Sequence, residues 1–167
     1  MTDISSVHRA RQELESKISS LDILINNAGI AGDQPQNLPA GDLENLRKIF
    51  DTNFFGAIET TQEFLPLLKN SEQGCIINVS SEIGSLAVHT APERHPNRAS
   101  YHAYGTSRTA LNAFTVMLAN ELRDTGIRVN SVTPTLTNSR AKNRGARCKA
   151  HRRTGKTIQS GHYCKIL

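Results

Sequence analysis

The sequence predicts an α/β fold, a three-stranded parallel sheet with flanking helices, followed by a basic tail, and three observations carry that reading. Three short apolar runs, Leu21–Ile25, Cys75–Val79 and Ile127–Val132, each end in turn-forming or small polar residues, as buried strands do. Helix-length segments with apolar residues at spacings of three and four precede and separate them, long enough for crossovers between parallel strands. Beyond residue 138 both patterns stop. A chain of 167 residues falls in the one-domain range, so the organisation expected is a single α/β body over 1–138 and a disordered tail over 139–167.

In order, residues 4–19 place Ile4, Val7, Ala10, Leu14 and Ile18 on one stripe and predict an amphipathic helix. The run Leu21–Ile25 then stops at Asn26-Asn27-Ala28-Gly29, residues that tolerate the backbone bends of a turn. Residues 41–69 carry Leu43, Leu46, Phe50, Phe54, Ala57, Ile58, Thr61, Leu65 and Leu68 on one side. The spacing predicts one long helix, bent near Gly56 and closing soon after Pro66. Cys75–Val79 passes into Ser80-Ser81 and Gly84, residues 85–100 predict a loop, and 101–123 return to helical spacing before Gly126. The third strand follows and ends at Pro134. From Ser139 onward the only large aliphatic residues are Ile158, Ile166 and Leu167, too few to hold an ordered element against its conformational entropy.

The net charge of +5 belongs to that tail: residues 139–167 hold nine of the 20 Lys and Arg and none of the 15 Asp and Glu. A basic cluster attracts phosphates by counterion release. With Tyr163 as its one aromatic residue, however, this tail offers attraction without readout, and a nucleic-acid partner is not expected. No apolar run approaches the roughly 18 residues that span a bilayer, so no membrane partner is expected either. Cys75, Cys148 and Cys164 form no CxxC pair. That pattern argues for neither a metal site nor a disulfide framework and favours a cytoplasmic location.

In a parallel sheet, ligands lie beyond the carboxyl ends of the strands. The residues to inspect are therefore Asn27-Ala28-Gly29, Ser80-Ser81 and Thr133-Pro134. On the following helix Tyr104 and Arg108 stand four residues apart on one face, where a guanidinium can stabilise a phenolate. A tyrosine so placed can exchange a proton, and a hydroxyl from Ser81 can polarise a neighbouring carbonyl.

Asn26-Asn27-Ala28-Gly29 after one strand, Asn53 in the next helix, Asn78-Val79-Ser80-Ser81 after the next strand and Tyr104-Gly105-Thr106-Ser107-Arg108 together resemble the short-chain dehydrogenase/reductase series. Asn53-Phe54-Phe55-Gly56 to Leu65-Pro66-Leu67-Leu68 is similar to that family's central helix. The resemblance runs from about residue 3 to Pro134 and implies a partial Rossmann-type sheet and an oxidoreductase using NAD or NADP on a small-molecule carbonyl or alcohol. It implies Tyr104 as proton donor or acceptor, Ser81 as the residue orienting the substrate oxygen, and Asn53 as support for a water-linked proton path. It also implies that Asn27, Ala28 and Gly29 border the adenosine side of the cofactor and that Pro134 lies near the nicotinamide. Homo-oligomers paired through helices matching 41–69 and 101–123 are implied as well.

Against the family pattern, the glycine-rich phosphate turn and its strand are not found, and Met1-Thr2-Asp3 reads as the end of a third family strand. The expectation is a chain truncated at its front, with the edge of the Asn26 strand exposed and cofactor affinity reduced. Arg108 stands where the family has lysine, keeping the charge but not the ability to release a proton. The segment between Ser81 and Tyr104, with Pro92, His95 and Pro96, is longer than usual and is expected to form a substrate-side loop. Thr135 replaces a usual glycine before an atypical tail. Two rival readings stay open: a catalytically silent α/β fragment acting as an interaction partner, and the non-functional product of a disrupted gene.

Overall fold

The computed structural model describes residues 3–90, 100–134 and 164–166, the last three as backbone. Residues 1–2, 91–99, 135–163 and 167, among them the expected substrate-side loop residues Pro92, His95 and Pro96, Thr135 and most of the tail, lie outside the described residues.

Helix α1 spans Ile4–Glu15. Asp3, with extended backbone, caps this helix, its Oδ1 accepting the Ser5 N–H at 3.0 Å and so satisfying one of the orphan donors of the first turn. The apolar spacing runs on to Ile18, yet the helix closes at Glu15. Lys17 and Ile18 both donate to the Leu14 carbonyl, at 2.8 and 3.0 Å, which winds up the last turn.

Strand β1, Ile23–Asn26, pairs in parallel with β2, Cys75–Val79, and β2 with β3, Arg128–Pro134. The three expected strands are therefore present, in chain order, with Ile25 opposite Ile77 and Ile77 opposite Asn130. The sheet also has a fourth strand: β4, Cys164–Ile166, lies antiparallel on β3, Val132 opposite Ile166. Tail composition gave no sign of it, because main-chain pairing along a strand edge needs no buried side chains. On the other side β1 forms the edge of the sheet, with Ile23 and Ile25 exposed.

Between β1 and β2 the expected single helix is two helices joined by a wider turn. Helix α2, Leu43–Phe50, starts at Asp42, whose carboxylate accepts from Glu44 and Asn45 N–H. Residues Asp51–Phe55 form a π-helical segment, and α3 runs Gly56–Lys69 through Pro66. The Gly56 N–H reaches the Asp51 carbonyl, five residues back, so an extra residue is accommodated and the side chains beyond it are re-aimed. Asn53, inside that segment, points inward and is 1% exposed. After β2 come a 3₁₀ turn at Glu82–Gly84 and a short helix α4, Leu86–Thr90. That helix replaces part of the expected loop, its Val88 and His89 N–H groups closing on the Ser85 carbonyl. Helix α5 spans His102–Glu121.

Helix α3 packs on β1 and β2, α5 on β2 and β3, and α1 against α3. Leu24, Ile76, Leu68, Leu118, Leu122 and Ile127 form the core between that sheet face and those helices. One polar ladder crosses the core. Asn26 Nδ2 donates to Thr61 Oγ1 at 2.9 Å and to Asn78 Oδ1 at 2.8 Å, and Asn78 Nδ2 donates to Thr115 Oγ1 at 2.9 Å. It ties β1, β2, α3 and α5 together just below the strand ends where the site lies.

Candidate active site

Asn27, Ala28, Gly29, Ser81 and Pro134 lie at or near the carboxyl ends of β1, β2 and β3, and Asn53, Tyr104 and Arg108 on the helical segments that face them. Past β1 the chain turns at Asn27, whose N–H bonds the Ile25 carbonyl at 3.1 Å. Asn27 and Gly29 are exposed and Ala28 is half-buried. Asn53, set inward by the π-helical segment, grips the backbone just beyond: its Oδ1 accepts the Ile30 N–H at 2.8 Å and its Nδ2 donates to the Ile30 carbonyl at 2.9 Å. The second amide proton goes to Ser107 Oγ at 3.1 Å, and Ser107 donates to the Tyr104 carbonyl at 2.7 Å. Both protons of the Asn53 amide are thus used inside the protein, fixing the β1 turn to the Tyr104 turn of α5.

Ser81 follows β2 with extended backbone and caps the 3₁₀ turn, its Oγ accepting the Ile83 N–H at 3.3 Å. Its hydroxyl proton remains available to donate outward. That turn is locked onto α5: the Gly84 carbonyl accepts from Thr109 Oγ1 and Asn112 Nδ2, at 3.0 and 3.2 Å. A Cβ at Gly84 would come within 2.7 Å of Arg108 Cβ and 2.9 Å of its carbonyl carbon, so only glycine allows this approach.

The Arg108 guanidinium lies over the Tyr104 ring, Cζ 5.2 Å from its centroid, a cation–π contact. It also reaches across the strand ends, Nη1 donating to the Val79 carbonyl at 3.0 Å. The contact with Tyr104 is thus with the ring face. Tyr101 packs edge-on against Tyr104, centroids 6.4 Å apart. Pro134 closes β3 and is exposed.

Sequence reasoning passed over Gln36. Nearly buried, it donates from Nε2 to the Ala31 carbonyl at 2.7 Å and accepts the Tyr104 N–H on Oε1 at 3.1 Å, joining the loop after β1 to the start of α5. Nothing in a polar residue between two prolines announces that role. Ser107 stands three residues after Tyr104 on a helix, and that spacing is the signal that it could bond back to that carbonyl.

The family model described as short chain dehydrogenase matches residues 1–147. The chain belongs to the short-chain dehydrogenase family. Among the curated members, a short-chain dehydrogenase/reductase, tropE, of Talaromyces stipitatus is 34% identical, the match covering 80% of this chain and 53% of that protein. A 3-oxoacyl-[acyl-carrier-protein] reductase of Staphylococcus aureus is 31% identical, over 80% of this chain and 50% of its own. Among solved structures, the NADPH-bound carbonyl reductase from chicken fatty liver superposes with a TM-score of 0.66 at 29% identity, covering 79% of this chain and 53% of that one. The chain spans about half the length of these relatives. No helix among the described residues is long and apolar enough to cross a membrane, and no group of three His, Cys, Asp or Glu among them is placed to hold a metal.

The donors at the crevice suit a nicotinamide dinucleotide, whose sugars and phosphates are rich in acceptors. Ser81 offers a hydroxyl, Arg108 a buried guanidinium beneath the turn, and the Gly29 turn a backbone that a ligand can approach closely.

Proposed function

We propose that the chain catalyses reversible reduction of a small-molecule carbonyl to an alcohol with NAD or NADP, and that Tyr104 and Ser81 are its catalytic residues. The observation that carries this is the fixing of Tyr104 at the crevice: its N–H is held by Gln36, its carbonyl by Ser107 and its ring by Arg108. Asn27, Ala28, Gly29, Arg108 and Pro134 would hold the cofactor, which supplies the hydride when bound. Tyr104 gives a proton to the substrate oxygen in reduction and takes it back in oxidation. Ser81 donates a hydrogen bond to the same oxygen, keeping its proton and stabilising the charge that develops there. Arg108, permanently charged, steadies the phenolate left on Tyr104 without relaying a proton. Asn53 is a positioning residue: it sets the Ile30 backbone and, through Ser107, the Tyr104 turn.

Two copies would pair through α2–α3 and α5. Exposed Leu43 and Leu46 on α2, Phe55 on the π-helical segment before α3, and Val116 and Met117 on α5 support that reading. A cytosolic setting agrees with the free thiol of Cys75.

Cofactor fluorescence titration tests the reading. Saturable binding of NADH or NADPH is expected for the parent and lost in Gly29→Ala, where the new Cβ would lie 2.0 Å from Arg108 Nη2 and force the guanidinium from its place. Circular dichroism checks that the variant folds. Absence of binding at millimolar cofactor, or undiminished binding by Gly29→Ala, contradicts the proposal.

A further inference from the structure

Helix α5 begins without a cap of its own. Its N-cap residue, Tyr101, makes no side-chain hydrogen bond to the first turn, and the opening N–H groups of a helix have no intrahelical acceptor. One of these N–H groups belongs to Tyr104. Its acceptor is Gln36 Oε1, at 3.1 Å and 68 residues away in the chain, which does what a serine or aspartate at the N-cap usually does.

Gln36 is held firmly enough to set that position rather than follow it. The residue is 6% exposed, and both ends of its amide are used, Nε2 donating to the Ala31 carbonyl at 2.7 Å. A long flexible side chain loses much rotamer freedom when it is fixed in this way. The loop that carries it is fastened at two further points. Asn53 grips Ile30. Asn45 of α2, also buried, accepts the Asp33 N–H on Oδ1 at 3.0 Å and donates from Nδ2 to the Asp33 carbonyl at 2.8 Å. The other hydrogen-bond and ring partners of Tyr104, which are Tyr101, Ser107 and Arg108, lie on α5 or at its cap and turn with it. Gln36 instead ties Tyr104 directly to the loop after β1.

We propose that Gln36 is a positioning residue for Tyr104: it caps α5 from outside the helix and so sets where the phenol stands relative to the substrate oxygen. The proposal rests on the oxidoreductase reading for the role of the phenol, and adds a residue that acts on it without touching substrate or cofactor. A displacement of about 1 Å at a reacting group is enough to slow a reaction on the order of 10²-fold.

Three variants and one spectroscopic signal test it. Gln36→Met removes both bonds at nearly unchanged length. Gln36→Glu keeps an acceptor for the Tyr104 N–H, at a helix N-terminus that favours negative charge, and gives up the donor to Ala31. Gln36→Asn keeps the amide but not its reach, and carries the test if circular dichroism shows that the Met variant does not fold. Gln36→Met and Gln36→Asn are expected to lower kcat by about 10- to 100-fold with KM and cofactor affinity unchanged, and Gln36→Glu to recover most of the rate. In a Tyr104→Phe background the same changes should slow the reaction no further, because residues that act as one unit do not add. The tie is also read without turnover. With fluorotyrosine in place of the three tyrosines, the fluorine resonance that Tyr104→Phe removes is expected to move in Gln36→Met and Gln36→Asn and to return toward its parent position in Gln36→Glu. Parent kcat in the shortened or apolar variant, a change confined to KM, an equal further loss in the Tyr104→Phe background, a Gln36→Glu variant as slow as Gln36→Met, or an unmoved Tyr104 resonance overturns the proposal. Absence of carbonyl reduction in the parent chain counts against the oxidoreductase reading instead, and the resonance then still decides whether Gln36 sets Tyr104.

Discussion

Tyr104→Phe is expected to lower the rate of carbonyl reduction by on the order of 10²–10⁴-fold, the range for removal of a positioned proton donor. The variant keeps the ring, and with it the contacts to Arg108 and to Tyr101. Its main-chain bonds to Gln36 and Ser107 do not involve the hydroxyl. Melting temperature and cofactor affinity should therefore stay near those of the parent while kcat falls. Steady-state kinetics beside a cofactor titration separate the two. A fall in affinity with kcat preserved would mean that the phenol holds the cofactor and that the proton comes from elsewhere.

Asn78→Leu is expected to cost about 2–5 kcal/mol of folding stability, the penalty for stranding buried polar groups on both sides of a lost amide. Asn78 is 0% exposed. Its removal takes the acceptor from Asn26 Nδ2 and the donor from Thr115 Oγ1, and Asn26 Oδ1 already lacks a partner. The loss should appear as a lower urea midpoint. Asn70→Leu provides the comparison: that side chain makes one exposed bond, to the Ser19 carbonyl, and surface changes of this kind stay within about 0.5 kcal/mol. A similar small cost for Asn78→Leu would show that the ladder does not hold sheet and helices in register.

The strands were legible because burial writes itself into short runs. Cys75–Val79 is a strand over just those residues, and Leu21–Ile25 and Ile127–Val132 differ from β1 and β3 by one or two positions at their ends. Helix α5 was legible for the same reason, its apolar spacing ending at Gly126, which has a φ of +79° that glycine adopts without strain. The π-helical segment at Asp51–Phe55 was not: shifting a hydrogen bond by one residue leaves the apolar spacing almost unchanged, although it decides where Asn53 points. Helix α4 and β4 escaped because each is short and held mainly by backbone bonds. In the site, the residues of the order Asn-Asn-Ala-Gly, Asn53, Ser81, Tyr104 lie after β1 and β2 and on the helices that face those strand ends. What each side chain grips was not legible, since Asn53 on Ile30, Gln36 on Tyr104 and Asn26 on Asn78 join residues far apart in the chain. Arg108 shows the same limit: its position on the face of Tyr104 followed from helical spacing, while its bond to Val79 required the fold.

The most direct test of the central claim is product analysis of the purified chain incubated with excess NADPH or NADH and a panel of small aldehydes and ketones. The account predicts alcohol formed in step with cofactor oxidised, abolished in Ser81→Ala combined with Tyr104→Phe. A folded chain that binds cofactor yet forms no alcohol from any member of the panel, or a double variant as active as the parent, would contradict it.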